Sequence, residues 1–169
     1  MPNDIILGDG VFSIGATDVG LTRGGGTLTV EREYRTIEAD GDYGPVKGRI
    51  RKIKSVAKLS MNALEILTTN IPKMYPAVSN TVGTLPATDT ITGKADIEDA
   101  DYNDTITWTG KTTGGRSVVI TLKNTINLEN IEWGLIDKEE IISALTYTAA
   151  YDPATRTIEP WDLVFTDAV

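Results

Sequence analysis

The chain has 169 residues, with 24 Asp plus Glu against 16 Lys plus Arg for a formal charge of −8, and it contains neither cysteine nor histidine. That length suffices for one domain, residues 1–169, burying roughly 70% of the surface its unfolded chain would expose, so a core needs no disulfide or metal. The two missing residue types exclude disulfide frameworks, thiolate nucleophiles, Ser-His-Asp and Cys-His dyads and the commonest metal ligand; a non-enzymatic protein without a cofactor is the expectation.

The first residues, MPNDIILGDGVFSIG, have no basic or long apolar region. No stretch approaches the about 20 apolar residues that a bilayer span requires, so a soluble protein without membrane association is expected. Residues 1–26 read as an extended N-terminal arm ending in the run Gly24-Gly25-Gly26, which lacks dinucleotide-binding spacing and leads into a strand. Residues 27–34, TLTVEREY, alternate Leu28 and Val30 against Thr29, Glu31 and Glu33, so one face enters a core while the other presents acids. Residues 39–48, with Asp-Gly and Gly-Pro pairs, predict a projecting loop. The longest strand candidate follows at 46–61, with a period that slips around Arg51 and Lys52 and so suggests a bulge.

Helical spacing of Leu64, Leu67 and Ile71 predicts one helix of three turns or fewer within 62–77, stopped by Pro72 and Pro76. Residues 76–104 are rich in Thr, Asp, Gly and Pro and read as a long connection holding at most a short strand at 90–93. Strands are predicted again at 104–111, 116–126, 131–133 and 159–166. In 141–151 alternation places Leu145, Tyr147, Ala149 and Tyr151 on one side, with a helix as the alternative. The fold class expected is mainly β: a β-sandwich or small barrel with one flanking α-helix.

Motifs with chemical associations are weak. Gly110-Lys111-Thr112 ends like a phosphate-binding loop, but Thr105 stands where that motif needs glycine and no helix follows. Asp96, Glu98, Asp99, Asp101 and Asp104 form an acidic knot without the central glycine or closing glutamate of a calcium loop, which favours a solvated segment. Trp108, Trp133 and Trp161 offer a sugar-stacking platform only if they share a surface, and core positions are the commoner role.

The basic residues are unevenly placed. Residues 45–58 hold six bases (Lys47, Arg49, Arg51, Lys52, Lys54 and Lys58) and no acid, leaving 10 bases against 24 acids elsewhere. Six cations would suit a phosphate backbone, but no aromatic is interleaved to stack a base and the rest of the subunit repels phosphate. Oppositely charged flanks on identical subunits are complementary, so a head-to-tail contact between copies, repeated around a circle, closes a ring.

Residues 16–67, ATDVGLTRGGGTLTVEREYRTIEADGDYGPVKGRIRKIKSVAKLSMNALEIL, resemble the major tail tube proteins of long-tailed (siphovirus-type) bacteriophages. The most specific part is the order VGLTRGG, an acidic strand, EADGDxGPVKG and AKLxxNALEIL; EPWDL near the C-terminus is similar more loosely. The resemblance implies a structural virion protein in hexameric rings, whose inner sheets join into a ring-wide β-barrel and whose rings stack into a hollow tube. Family members assemble in the host cytoplasm around a tape-measure protein, meet a tail terminator, and form in the virion tail the conduit for DNA ejection. It further implies an assembly interface at Asp40, Asp42, Lys47, Arg49, Arg51, Lys52 and Lys54; Glu31 and Glu33, which the alternation turns away from Leu28 and Val30, are the channel-lining candidates. An acidic lining has a rationale: duplex DNA carries one negative charge per ~1.7 Å of axis, so a basic wall would hold it through counterion release. The alternatives are the inner-tube protein of a contractile injection or secretion system and a monomeric carbohydrate-binding β-sandwich.

Overall fold

The structure is a computed structural model that describes residues 4–167. Ten strands run in the order β1 (Ile6–Ile14), β2 (Thr17–Asp18), β3 (Thr22–Thr36), β4 (Ile50–Ala63), β5 (Val78–Thr84), β6 (Ala87–Gly93), β7 (Asn103–Thr112), β8 (Ser117–Asn127), β9 (Ser143–Ala149) and β10 (Trp161–Thr166). A single helical turn, α1 (Ile71–Met74), lies between β4 and β5, and a 3₁₀ turn covers Asp99–Asp101. All strand pairs are antiparallel; the main sheet has the order β2-β1-β7-β8-β9-β4-β3 with β10 also on β8, while β5 and β6 form a separate hairpin. The protein is thus mainly β, and its sheet does not close into a barrel.

The main sheet doubles over on its own apolar face. Period-2 rows enter the interior from every layer: Leu59, Met61 and Ala63 of β4, Leu145, Tyr147 and Ala149 of β9, Ile106 and Trp108 of β7, Val118 and Leu122 of β8. Phe12 of β1 meets β3, from the opposite end of the strand order, at Gly26. A Cβ at Gly26 would lie 2.6 Å from Phe12 Cζ and closer still to the Ser60 carbonyl oxygen, so only glycine permits this approach. Gly24 and Gly25, at φ 82° and 73°, carry the register shift just before it. The glycine run is therefore a bulge inside β3, not a loose entry to it.

β8 is the branch point. Its residues 117–122 pair with β10 while residues 125–127 pair with β9 on the same side. Asn124, in the left-handed region at φ 50°, marks the division, and asparagine is among the few residues that adopt this conformation readily. Two backbone bonds frame the fork: Lys123 N–H donates to the Pro160 carbonyl at 2.8 Å and Ala150 N–H to the Asn124 carbonyl at 3.1 Å.

Four expectations need correction. The helix expected within 62–77 shrinks to α1, because Met61, Asn62 and Ala63 extend β4 and pair with Leu145, Ala144 and Ser143 of β9; cross-strand burial overrides helical spacing. The connection 76–104 contains the β5–β6 hairpin, with seven residues in each strand. Residues 6–14 and 17–18 of the supposed arm are strands, and β1 pairs with β7 from Ile6↔Thr112 to Ile14↔Ile106; residues 1–3 lie outside the described residues. Residues 131–133 are irregular, with Ile131 exposed and no strand beside them.

Candidate assembly surface

β3 and β4 pair from Thr22↔Ala63 to Thr36↔Ile50, and only the first part of this ladder lies over the core: β9 covers β4 from Lys58 to Ala63. The remainder forms a hairpin extending past the body, capped by the loop 37–49. The far edge of β3 has no strand partner among the described residues, nor has the far edge of β4 before Lys58. Tyr34, Ile37, Tyr43, Ile50 and Ile53 are all exposed on this projection. Open edges flanked by exposed apolar side chains favour pairing with another chain.

The register shift between Glu33↔Lys54 and Tyr34↔Lys52 leaves Ile53 as the extra residue of a bulge, close to the position where the sequence period slips. It divides the basic residues between two faces. Lys52 shares the inward parity of Arg32 and Tyr34 and pairs with Glu159, whereas Arg51, Lys54 and Lys58 share the outward face with Glu31, Glu33 and Arg35. Of the expected interface residues, Lys52 therefore lies on the opposite face from Arg51 and Lys54, and the two channel candidates stand among bases. Lys58 Nζ donates to Glu31 at 2.9 Å, and this bond, aided by the charge of Lys58 and then Lys54, lowers the Glu31 pKa. Glu33 lies directly across from Lys54. The same face carries the hydroxyls of Thr27, Thr29, Ser60, Thr146 and Thr148 together with Val56, Asn62 and Ala144.

Within the loop, Asp42 is committed locally. Its Oδ2 accepts from Ala39 N–H at 2.8 Å and from Arg49 Nη1 at 2.7 Å, stapling the two loop limbs. Asp40 and Lys47 are exposed and have no ion-pair partner among the described residues. Gly41 and Gly48, at φ 92° and 85°, supply the turns on either side.

The inner side of the hairpin meets a polar hub that sequence inspection missed. Glu159 sits in the fork between β10 and β4 and accepts from Ser55 Oγ at 2.8 Å, Tyr151 Oη at 3.1 Å and Trp161 Nε1 at 3.2 Å, while its other oxygen pairs with Lys52. Donation from Lys52, then from Ser55 and Tyr151, outweighs desolvation and pushes the carboxyl down to about 2; the same pairing raises the Lys52 pKa. Arg32 stacks 6.0 Å from the Trp161 ring centroid beside it. Around the hub lies an open groove of about 560 Å³ lined by Lys52, Ile53, Ser55, Tyr151, Arg156 and Glu159. The only sequence trace of this hub is the EPWD tetrapeptide, whose residues meet their partners about a hundred positions upstream.

The remaining motifs resolve as structural parts. Trp108, 8% exposed, lies under Gly10 and Gly110, where a Cβ on Gly110 would come within 2.6 Å of Trp108 Cζ2. It is a core residue, not one face of a sugar platform. Thr112 Oγ1 accepts from Arg116 N–H at 3.2 Å and closes the β7–β8 turn. In the acidic knot Glu98 and Asp101 form a capping box, and Lys94 donates to both, at 3.1 and 2.9 Å. The Asp101 pKa is lowered chiefly by Glu98 N–H, while the bonds to Asp101 and Glu98 raise that of Lys94. Among the described residues no group of three or more acidic side chains is arranged to hold a metal ion, and no helix is long and apolar enough to cross a membrane.

No protein-family model matches the chain, and no curated protein matches it.

Proposed function

We propose that this chain is a structural subunit that assembles with itself into hexameric rings stacked as the tail tube of a long-tailed bacteriophage, the conduit for DNA ejection. The observation that carries this reading is the β3–β4 projection, with 15 residues of β3 unpaired on one side and apolar residues exposed along it. An isolated antiparallel sheet blunts or covers such an edge; one that joins a neighbouring subunit leaves it open. The motif order of residues 16–67 supports the same conclusion, since it covers the projection, its loop and the return strand.

In a ring, lateral pairing at the β3 edge extends the sheet across subunits and leaves its outward face toward the channel. That face carries several hydroxyls, pairs Glu31 with Lys58 and sets Glu33 opposite Lys54, and leaves Arg35 and Arg51 opposite each other only at its far end. A wall of local charge pairs avoids the long-lived phosphate contacts of a basic surface, so DNA passes without specific binding. The tape-measure protein and the tail terminator are the further partners on this reading, the virion tail the location and the host cytoplasm the place of assembly.

Negative-stain microscopy of purified protein, from dilute to concentrated and at low and high salt, tests the proposal. Rings or tubes of uniform bore are expected. Replacing Tyr34 and Ile53 together by serine should suppress them while leaving the thermal midpoint within about 2 °C of the parent, since both side chains are already exposed. A single chain that stays solitary under every condition refutes the reading.

A further inference from the structure

The irregular segment 128–142 has the wrong surface for a loop in water. Leu128, Ile131, Leu135 and Ile136 are 64%, 56%, 83% and 60% exposed, and Glu129, Glu132, Asp137, Glu139 and Glu140 are interspersed with a single base, Lys138. The segment is anchored at the root of the β3–β4 ladder: Arg23, next to the first residue of β3, pairs with Glu140. Trp133, Glu140 and Ile141 border a cleft with Leu64 and Ile71 at the same end.

The opposite end of the ladder has a matching deficit. Arg35 and Arg51 are directly cross-strand partners on the outward face, and neither guanidinium has an ion-pair or hydrogen-bond partner among the described residues. Like charges directly opposite each other on a sheet repel, and a carboxylate placed between them would reverse that penalty. Ile37, 48% exposed and two positions beyond Arg35, supplies apolar surface beside the pair, whereas Ile50 shares the opposite face with Lys52. From Thr22 to Thr36, β3 spans roughly 45 Å at ~3.3 Å per residue, so one copy cannot bring its own segment to its own arginines.

We propose that segment 128–142 of one copy docks on the Arg35/Arg51 end of the hairpin of a second copy, its carboxylates between the two arginines and its apolar side chains against Ile37. The contact is heterologous, since each copy carries both halves at opposite ends; such a contact repeats head to tail and runs on as an open stack wherever its rotation does not close a ring, and on this reading the ring is closed by the β3 edge instead. It therefore joins subunits along the tube, whereas the open β3 edge joins them around it. This inference rests on the tube reading and adds the identity of the axial contact.

A charge exchange tests it. Variant A carries Arg35→Glu and Arg51→Glu; variant B carries Glu132→Lys, Asp137→Lys and Glu139→Lys. Each alone juxtaposes like charges, and the concentration needed for tubes should rise by about tenfold or more, read by sedimentation and microscopy, with the far-ultraviolet circular dichroism of the parent retained. Mixed in equal amounts, A and B present opposite charges at every junction and should form tubes again. If B loses its fold, Leu135→Ser with Ile136→Ser replaces it in the assembly assay, with impaired stacking expected at every salt concentration. Normal tubes from A alone, or an A and B mixture that stays unassembled, overturn the inference and leave the tube reading standing if the parent forms tubes. A parent that forms tubes only with added DNA assigns the arginines to phosphate and overturns it equally; a parent that forms no rings or tubes overturns both.

Discussion

Replacing Glu159 by glutamine removes one charge from the fork where the hairpin leaves the body. The carboxylate serves four donors: Ser55, Tyr151 and Trp161 at one oxygen and Lys52 at the other. Glutamine has one acceptor oxygen, so its amide N–H₂ must face either the lysine ammonium or three donating groups. A carboxyl displaced from 4.5 to about 2 has a full linkage of about 3 kcal/mol. The side chain keeps 28% of its exposure, and solvent screening reduces the figure to about 1–2 kcal/mol. For a domain of this size the melting temperature should fall by about 2–8 °C at pH 7. The sign follows from the depressed folded-state value: the contribution is complete above the ordinary carboxyl range and is lost as pH falls from 4.5 toward 2. Calorimetry of parent and variant at pH 7 and pH 3 measures both parts, and the deficit should shrink to under half at the lower pH. Equal melting temperatures at pH 7, or a deficit of the same size at both pH values, would refute the assignment of Glu159 as the ionised clamp.

Two further substitutions test the core. Gly26→Ala forces a methyl group against Phe12 and the Ser60 carbonyl, and should cost about 1–3 kcal/mol in urea unfolding with faster amide exchange along β3 and β4; unchanged stability would contradict the close layer contact. Trp108→Ala should cost about 3–5 kcal/mol as a cavity mutation, so a stable variant that loses only glycan binding would restore the carbohydrate-module reading.

The rows of the core were legible in the sequence because burial on one face of a strand leaves period 2 in the residues themselves. Leu28 and Val30, and Leu145, Tyr147 and Ala149, occupy the inward positions their alternation predicts. The bulge was legible too, since an extra residue shifts that alternation. What failed was any feature decided by a distant partner. Leu64, Leu67 and Ile71 have helical spacing, yet β4 keeps Asn62 and Ala63 because β9 lies beside them. The β5–β6 hairpin was hidden by composition: most of its side chains are exposed or half-exposed, so Val82 and Ile91 stand among threonines without an apolar stripe. Of the basic positions, their concentration was visible but their partition was not, because Ile53 turns Lys52 to the opposite side from Lys54. The clamp at Glu159 depends on Lys52 and Ser55, 107 and 104 positions away, and no local pattern encodes such a meeting.

On the tube reading, the unpaired margin of β3 also has a consequence for the subunit before it is incorporated. A row of free amides and carbonyls would make the solitary molecule adhesive, and self-association through it would rise with abundance. Its synthesis would have to keep step with its consumption, or a temporary companion would have to shield that margin. A short extended peptide that occupies it should act as a chain terminator, stopping growth at whatever length it finds.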